Sequence, residues 1–201
     1  MIRVLAGEKK GMQLRVARTS AVRPTASSAR QALFDILGPR VIGVRFLDLY
    51  AGSGAVGLEA LSRGATECVM VESSHRCIET IRKNIEHLGY QDRCRVFAAP
   101  AERAIRKLAA DGQPFDLIFL GPPYGGDEAK RCLQVLGEPA TSLLSPAADS
   151  LVIAQISTHT EILRPCGHLI LEREKKLGDT HLCFYRLAPE AERPPQETET
   201  P

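Results

Sequence analysis

Three glycines and a later glutamate have the spacing of a site for a nucleoside cofactor. The glycines follow the pattern Gly52-x-Gly54-x-x-Gly57, directly after the apolar run FLDLY (46–50). Such a turn between a strand and a helix lets the backbone approach a ligand closely, and the start of the helix offers unpaired N–H groups. Glu72 ends the next apolar run, about 20 residues after Gly52, where a carboxylate can accept both ribose hydroxyls. Two cofactors fit this arrangement, a dinucleotide and S-adenosylmethionine.

Asp48 favours S-adenosylmethionine over a dinucleotide. It stands directly before the glycine turn, where its carboxylate would repel a pyrophosphate but attract a cationic amino-acid moiety. The chain also offers no second domain for the substrate of a nicotinamide cofactor. The alternative is a glycine-rich turn that binds no ligand.

The stretch FDLIFLGPPYGG (115–126) carries a second pattern with chemical meaning. An apolar strand runs directly into two prolines and an aromatic residue, at a place where many enzymes have Asp or Asn. Gly121 occupies that place here. Taken alone, a Gly-Pro pair is typical of a surface turn. Its position after an apolar strand, downstream of the glycine turn, favours an active-site segment instead.

The distribution of charge points to a polyanionic partner. The 201 residues carry a net charge of only +2. Residues 1–45 nevertheless hold nine Lys and Arg against Glu8 and Asp35. A basic N-terminal face suggests contacts with phosphates and hence with nucleic acid. A solvated surface that is merely basic is the other interpretation.

Other features of the composition indicate a cytoplasmic protein without a membrane span. The apolar runs are too short to cross a bilayer, and the N-terminus lacks the apolar block of a signal peptide. The six cysteines are scattered without a C-x-x-C pair, which fits reduced thiols better than disulfides or a zinc site. The five histidines show no metal-ligand spacing, so we expect no metal.

The periodicity of apolar residues predicts an α/β fold with a small N-terminal β-hairpin. Segments 2–6 and 11–16 alternate and predict the hairpin, and a helix follows from about 25–28 to 37. Strands then alternate with helices, which indicates a mostly parallel sheet covered on both faces. The late strand-like segments predict an antiparallel hairpin at one edge of the sheet; they are 151–156, 166–174 and 180–187.

These elements divide the chain into three parts. Residues 1–25 form a β-hairpin extension, and residues 26–188 form the main domain. Residues 189–201, rich in proline and glutamate, have almost nothing to bury and are expected to be a disordered tail.

Taken together, the motifs resemble those of a known family, the RsmD-like enzymes. These bacterial methyltransferases modify the exocyclic N2 of a guanine in 16S ribosomal RNA. The resemblance spans residues 2 to 187 and implies a seven-stranded Rossmann-like class I methyltransferase fold. It also implies S-adenosyl-L-methionine as cofactor, and 16S rRNA or a small ribosomal subunit particle as partner. We expect the protein to be a monomer. The matching segments are RPTASSARQALFDIL, LDLYAGSGAVGLEALSRGA, VE (71–72), KN (83–84), FDLIFLGPPY and KKLGDTHLCFYR.

The resemblance assigns three sets of residues. The residues expected to bind the cofactor are Asp48, Tyr50, Ala51, Gly52, Ser53, Gly54, Glu72, Ser73 and Ala101. Those expected at the catalytic centre are Gly121, Pro122, Pro123 and Tyr124, where the Pro122 carbonyl accepts an amine hydrogen and the Tyr124 ring stacks on the base. Those expected to contact RNA or substrate are Lys9, Lys10, Arg23, Thr25 and Arg30. For Arg23 and Arg30, the cofactor carboxylate is an alternative contact, and a simple surface charge is the other interpretation.

Several positions depart from the family pattern. Gly121 replaces an Asp or Asn whose side chain accepts the second amine hydrogen, and the loss of one positioned acceptor lowers a rate about a hundred- to a thousandfold. Three further positions differ from the pattern. The family usually has an Asp or Asn where this chain has Pro100, and a Glu where it has Gln155 and Gln31. Three hypotheses follow: a methyltransferase with weakened activity, a non-catalytic homologue that binds S-adenosylmethionine or RNA, and, remotely, a dehydrogenase.

Overall fold

The computed structural model describes residues 2–17, 27–123 and 126–189. A two-stranded antiparallel hairpin pairs β1 (Ile2–Arg3) with β2 (Gln13–Leu14). Seven further strands form one sheet; they are β3 (Arg45–Asp48), β4 (Glu67–Glu72), β5 (Cys94–Ala98), β6 (Leu117–Leu120), β7 (Leu151–Ser157), β8 (Leu169–Leu177) and β9 (Thr180–Leu187). The order across the sheet is β5-β4-β3-β6-β7-β9-β8. The predicted tail lies, from residue 190 onward, outside the described residues.

The first five strands of that order pair in parallel, and β9 is the one strand of this sheet that runs in the opposite direction. Strand β9 pairs antiparallel with both β7 and β8, so the β8–β9 hairpin closes one edge of the sheet. The predicted α/β class, the mostly parallel sheet, the edge hairpin and the N-terminal hairpin are all confirmed. Strand β8 begins three residues later than predicted, because Cys166 and Leu169 exchange backbone hydrogen bonds in a turn before the strand starts.

Helices cover both faces of the sheet, as continuous apolar strands require. The helices are α1 (Ser27–Leu37), α2 (Ala55–Ser62), α3 (His75–Leu88), α4 (Ala101–Ala110) and α5 (Glu128–Gly137). One apolar layer joins the hairpin, α1, α2 and α3 to the sheet through residues such as Phe46 and Phe119. The other joins α4 and α5 through the alternate strand positions, among them Leu47 and Ile118.

The N-terminal hairpin is docked on α2 by a buried carboxylate. Glu59 accepts the backbone N–H groups of Leu5 (2.7 Å) and Ala6 (2.9 Å). The Arg30 guanidinium lies 3.8 Å from Glu59, and both side chains are fully buried. Arg30 also donates from Nη2 to the carbonyl of Arg3 at 2.6 Å. The hairpin is therefore held to the main sheet by buried charge as well as by apolar contacts.

The described part of the chain shows neither a candidate membrane span nor a candidate metal site. None of the helices within the described ranges is both long and apolar enough to cross a bilayer. In that same part of the chain, no group of His, Cys, Asp and Glu side chains is arranged to hold a metal ion. All six cysteines are buried free thiols.

Candidate cofactor-binding and catalytic site

The predicted glycine turn connects β3 to α2 at the carboxyl edge of the sheet. Gly54 has φ +81°, a left-handed conformation that favours glycine, and α2 begins at the next residue. Gly57 lies against β4, because a Cβ there would stand 2.6 Å from Met70 Cε and 2.7 Å from Cys68 Sγ. The glycines thus make both the sharp turn and the close packing of helix on sheet, as the sequence pattern predicts.

Glu72 ties the glycine turn to the loop that follows β4. Its Oε2 accepts the N–H of Gly52 at 2.8 Å, and its Oε1 accepts the N–H groups of Ser73 and Ser74, also at 2.8 Å. A carboxylate has about four acceptor positions, so Oε2 keeps capacity for a further donor. The carboxylate is already oriented at the edge of the sheet, and this arrangement fits a ribose hydroxyl.

Asp48 lies beneath the turn and is fully buried. Its Oδ2 accepts the N–H of Gly57 at 3.1 Å, which satisfies one of the free amides in the first turn of α2. Its Oδ1 has no hydrogen-bond partner among the residues that the structure describes. Burial raises the pKa of Asp48 from 3.8 to about 7, against the lowering effects of the Gly57 and Tyr50 amides; the charge of Glu72 raises it further. A nearby cation would favour the ionised form.

The raised pKa of Asp48 predicts that stability falls as the pH rises. Between pH 3.8 and about 7 the folded protein keeps a proton on Asp48 that the unfolded chain releases. The free energy of unfolding should therefore decrease with rising pH in this window, by up to about 1.4 kcal/mol per unit from this group. Asp48→Asn keeps the acceptor for Gly57 and removes the titration. Urea unfolding of both proteins across the window should show a shallower decline for Asp48→Asn, whereas identical slopes would refute the raised pKa.

The other predicted cofactor residues lie along the same edge. The Ala51 N–H donates to the carbonyl of Val71 at 3.0 Å, and the Tyr50 hydroxyl lies 3.2 Å from Cys132 Sγ. Ser53 is buried in the turn, and Ala101 opens α4. The Ala99 N–H donates to the carbonyl of Glu72 at 3.1 Å, which brings the end of β5 beside it.

Pro100 is the N-cap residue of α4, with φ −58° and ψ 144°. Its carbonyl accepts the N–H of Ala104 at 3.0 Å, so it has an evident structural role. A proline side chain offers no acceptor for an adenine amine.

Asn84 is a site residue whose role the sequence did not reveal. Its side chain is buried in α3 and accepts the Arg15 N–H at 2.8 Å. Its Nδ2 donates to the carbonyls of Arg15 (3.0 Å) and Ser53 (2.9 Å). Asn84 therefore joins the end of the N-terminal hairpin to the glycine turn. The signal was present, because the amide falls on the apolar stripe of Ile81 and Ile85.

The segment predicted to be catalytic begins at the same edge, one strand away from Asp48. Phe119 of β6 pairs with Asp48 of β3, and Gly121 and Pro122 follow that strand. Gly121 is half-buried, Pro122 is buried and Pro123 is exposed. Tyr124 lies outside the described residues. A Cβ at Gly121 would stand 3.0 Å from Phe119 Cε1 and 3.9 Å from the Cβ of Gln155.

The residues predicted to contact RNA are not equivalent. Lys10 is exposed near the tip of the N-terminal hairpin, whereas the Lys9 ammonium lies 5.7 Å from the centroid of the Tyr90 ring. Arg23 and Thr25 lie outside the described residues.

The prediction that Arg30 contacts phosphate is not supported by its position. Its side chain is fully buried against Glu59, so it is not available to an RNA backbone. Burial lowers the pKa of the Arg30 guanidinium, and Glu59 opposes that shift. Its structural role is to anchor the hairpin. The sequence alone could not show this, because a basic residue in the first turns of a helix is usually exposed.

Comparison with known proteins agrees with the resemblance seen in the motifs. Residues 2–186 match the family described as conserved hypothetical protein 95. YlbH of Bacillus subtilis (strain 168) is 33% identical over 185 residues, which are 92% of this chain and 98% of that protein. Ribosomal RNA small subunit methyltransferase D of Escherichia coli (strain K12) is 28% identical over 185 residues, 92% of this chain and 89% of that protein.

A solved structure of a hypothetical protein from a Thermus species superposes on this chain with a TM-score of 0.76. Its sequence identity is 32%, and the match covers 92% of this chain and 98% of that one. The fold and the sequence thus give the same result over nearly the whole chain. The chain belongs to the conserved hypothetical protein 95 family, the RsmD-like family that its motifs resemble.

Proposed function

We propose that the protein transfers a methyl group from S-adenosylmethionine to the exocyclic N2 of a guanine in 16S ribosomal RNA of the small subunit. The observation that carries this proposal is the meeting of three features at one sheet edge. The glycine turn follows β3, the oriented carboxylate of Glu72 ends β4, and Gly121-Pro122 follows β6. The name of the Escherichia coli relative supports ribosomal RNA of the small subunit as the substrate. The reaction would take place in the cytoplasm, with the protein acting as a monomer.

The residues present fit S-adenosylmethionine. The Oε2 atom of Glu72 keeps capacity for a ribose hydroxyl, and the first turn of α2 presents backbone N–H groups beside the turn. The Oδ1 atom of Asp48 is buried without a partner in the described part of the chain, and a cationic moiety above the turn would stabilise its charge. When bound, the cofactor supplies an electrophilic methyl group on a sulfonium sulfur.

The residues of the chain must also position the guanine amine for the reaction. This amine is a poor nucleophile because its lone pair is delocalised into the ring. The chain must therefore hold the amine in place and accept hydrogen bonds from it. The carbonyl of Pro122 can accept one hydrogen, and the fixed φ of the prolines keeps that carbonyl in place. We assign stacking on the base to Tyr124 from the motif. Gly121 offers no side-chain acceptor, so we expect the rate to be low.

A test measures the transfer of labelled methyl groups to small ribosomal subunits that lack the modification. The parent protein should incorporate label slowly, and Glu72→Ala should incorporate none at the same cofactor concentration. Calorimetry should show that Glu72→Ala has lost cofactor binding. Absence of cofactor binding by the parent protein would contradict the proposal.

The missing acceptor favours one second candidate, a homologue that binds the cofactor or RNA without transferring methyl. In that case the parent protein and Gly121→Asp would both bind S-adenosylmethionine and neither would label RNA. Label incorporated by the parent protein would exclude this candidate.

The hairpin lysines make a separate prediction about RNA binding. Changing both Lys9 and Lys10 to Ala should weaken RNA binding uniformly and reduce the slope of log affinity against log salt by roughly 0.7–0.9 per lost phosphate contact. Lys10 alone should account for most of the effect, because Lys9 lies against Tyr90. The exposed pair Lys175 and Lys176 on β8 provides a matched control. An unchanged salt slope for the Lys9/Lys10 variant would remove the hairpin tip from the interface.

A further inference from the structure

Gln155 lies beside the position from which a side-chain acceptor is missing. Strands β6 and β7 are parallel neighbours in which Leu120 pairs with Ala154, so the next residues, Gly121 and Gln155, stand at the same level of the carboxyl edge. A Cβ on Gly121 would lie 3.9 Å from the Cβ of Gln155. A side chain at either position therefore begins in the same small region.

Gln155 also faces the layer that contains the glycine turn. Side chains two residues apart on a strand share a face, and Ile153 belongs to the apolar layer formed with α1, α2 and α3. Ala51 and Ala55, which flank the glycines of the turn, belong to that layer as well. Gln155 is thus on the side of the sheet where the proposed cofactor turn lies.

The side chain of Gln155 carries the kind of hydrogen-bond acceptor that Gly121 lacks. Its side-chain carbonyl is a hydrogen-bond acceptor with two lone pairs, and it is longer than an Asp or Asn side chain at Gly121 would be. The residue is only 8% exposed, so its motion is restricted by packing. A positioned acceptor in such a place can accept a hydrogen bond from an amine. The Gln155 Oε1 atom is covered in the structure, so the side chain must turn toward the base when the base binds.

We propose that the side-chain carbonyl of Gln155 accepts the guanine amine hydrogen that no side chain at Gly121 can accept. This proposal rests on the proposed methyl transfer to guanine. Gly121 allows the role, because an Asp side chain at that position would start 3.9 Å from the Gln155 Cβ and would compete for the same space. In the parent protein, the carbonyls of Pro122 and Gln155 then accept the hydrogen bonds from the two amine hydrogens.

The test compares four variants with the parent protein: Gln155→Leu, Gln155→Glu, Gly121→Asp and the double variant Gly121→Asp/Gln155→Leu. Leu removes the acceptor at similar volume, and Glu retains an acceptor. Gln155→Leu should lower kcat at least about tenfold with little change in KM, as expected for an acceptor used mainly in the transition state. Gln155→Glu should keep much of the parent rate, and the double variant should recover transfer, because Asp at position 121 replaces the lost acceptor. Thermal unfolding of each variant shows whether it is folded.

The outcomes separate this proposal from the function on which it rests. If the parent protein labels RNA and Gln155→Leu is as fast as the parent, the role of Gln155 is refuted and methyl transfer stands. If only Gly121→Asp labels RNA, the parent protein lacks the proposed activity and the role of Gln155 is refuted with it. A Gln155→Leu defect that Asp at position 121 fails to restore, in a folded double variant, would show a structural role and would also refute the proposal. If no variant labels RNA, including Gly121→Asp, both proposals fail together.

Discussion

Replacing Gly121 with Asp is expected to raise the rate of methyl transfer, because it restores one positioned acceptor. Such an acceptor contributes about a hundred- to a thousandfold, and the gain is smaller by the share that the Gln155 carbonyl already supplies. The backbone permits the change, since Gly121 is not among the glycines with positive φ. The new Cβ would lie 3.0 Å from Phe119 Cε1, so the buried ring must shift by a few tenths of an ångström. The variant should therefore be somewhat less stable than the parent protein although it is faster.

Gly121→Ala is the matched control for this gain. Alanine introduces the same crowding against Phe119 but no acceptor, so it should lose stability without gaining rate. Single-turnover transfer to unmodified small subunits measures the chemical step for all three proteins. Equal rates for Asp and Ala at position 121 would show that the missing acceptor does not limit the parent protein.

Replacing Glu59 with Ala is expected to lower the free energy of unfolding by about 3–5 kcal/mol, the usual cost of removing one partner from a buried ion pair. Glu59 is fully buried and contacts Arg30 at 3.8 Å and Arg63 at 2.7 Å. It also accepts the N–H groups of Leu5 and Ala6. Its loss leaves the Arg30 charge buried without a carboxylate and two amides of the hairpin without their acceptor.

One further variant at this position separates charge from packing, and one at the surface serves as a control. Glu59→Gln keeps the volume and an acceptor for the hairpin amides, so it should destabilise the protein less than Glu59→Ala. Glu79→Ala removes a carboxylate that is 53% exposed, and such surface substitutions usually change stability by less than about 0.5 kcal/mol. Urea unfolding measures all three. A Glu59→Ala protein as stable as Glu79→Ala would mean that the hairpin is not anchored by this pair.

The parts of the fold that follow from local pattern could be predicted from the sequence. The spacing of glycines before an apolar helix predicted the turn after β3, and alternating apolar segments indicated the edge hairpin. Helix α5 could have been recognised too, because Ala129, Cys132, Leu133 and Leu136 repeat at helical spacing and are all buried.

The roles of individual polar residues depended on contacts between distant segments. Arg30 is buried because Glu59, far along the chain, lies opposite it, and no local pattern indicates that pairing. Asn84 likewise contacts Arg15 and Ser53, which are remote in sequence. The neighbourhood of Gly121 and Gln155 follows from the register of two strands, and register becomes visible only in the folded sheet.

The most direct test of the proposed function identifies the nucleoside that receives the methyl group. Small ribosomal subunits lacking the modification are incubated with labelled S-adenosylmethionine and Gly121→Asp, and the RNA is then digested to nucleosides. The proposal predicts that the label is recovered in N2-methylguanosine from 16S rRNA, and that Gly121→Ala gives far less of the same product. Label in another nucleoside, or no label although the cofactor binds, would contradict the proposal.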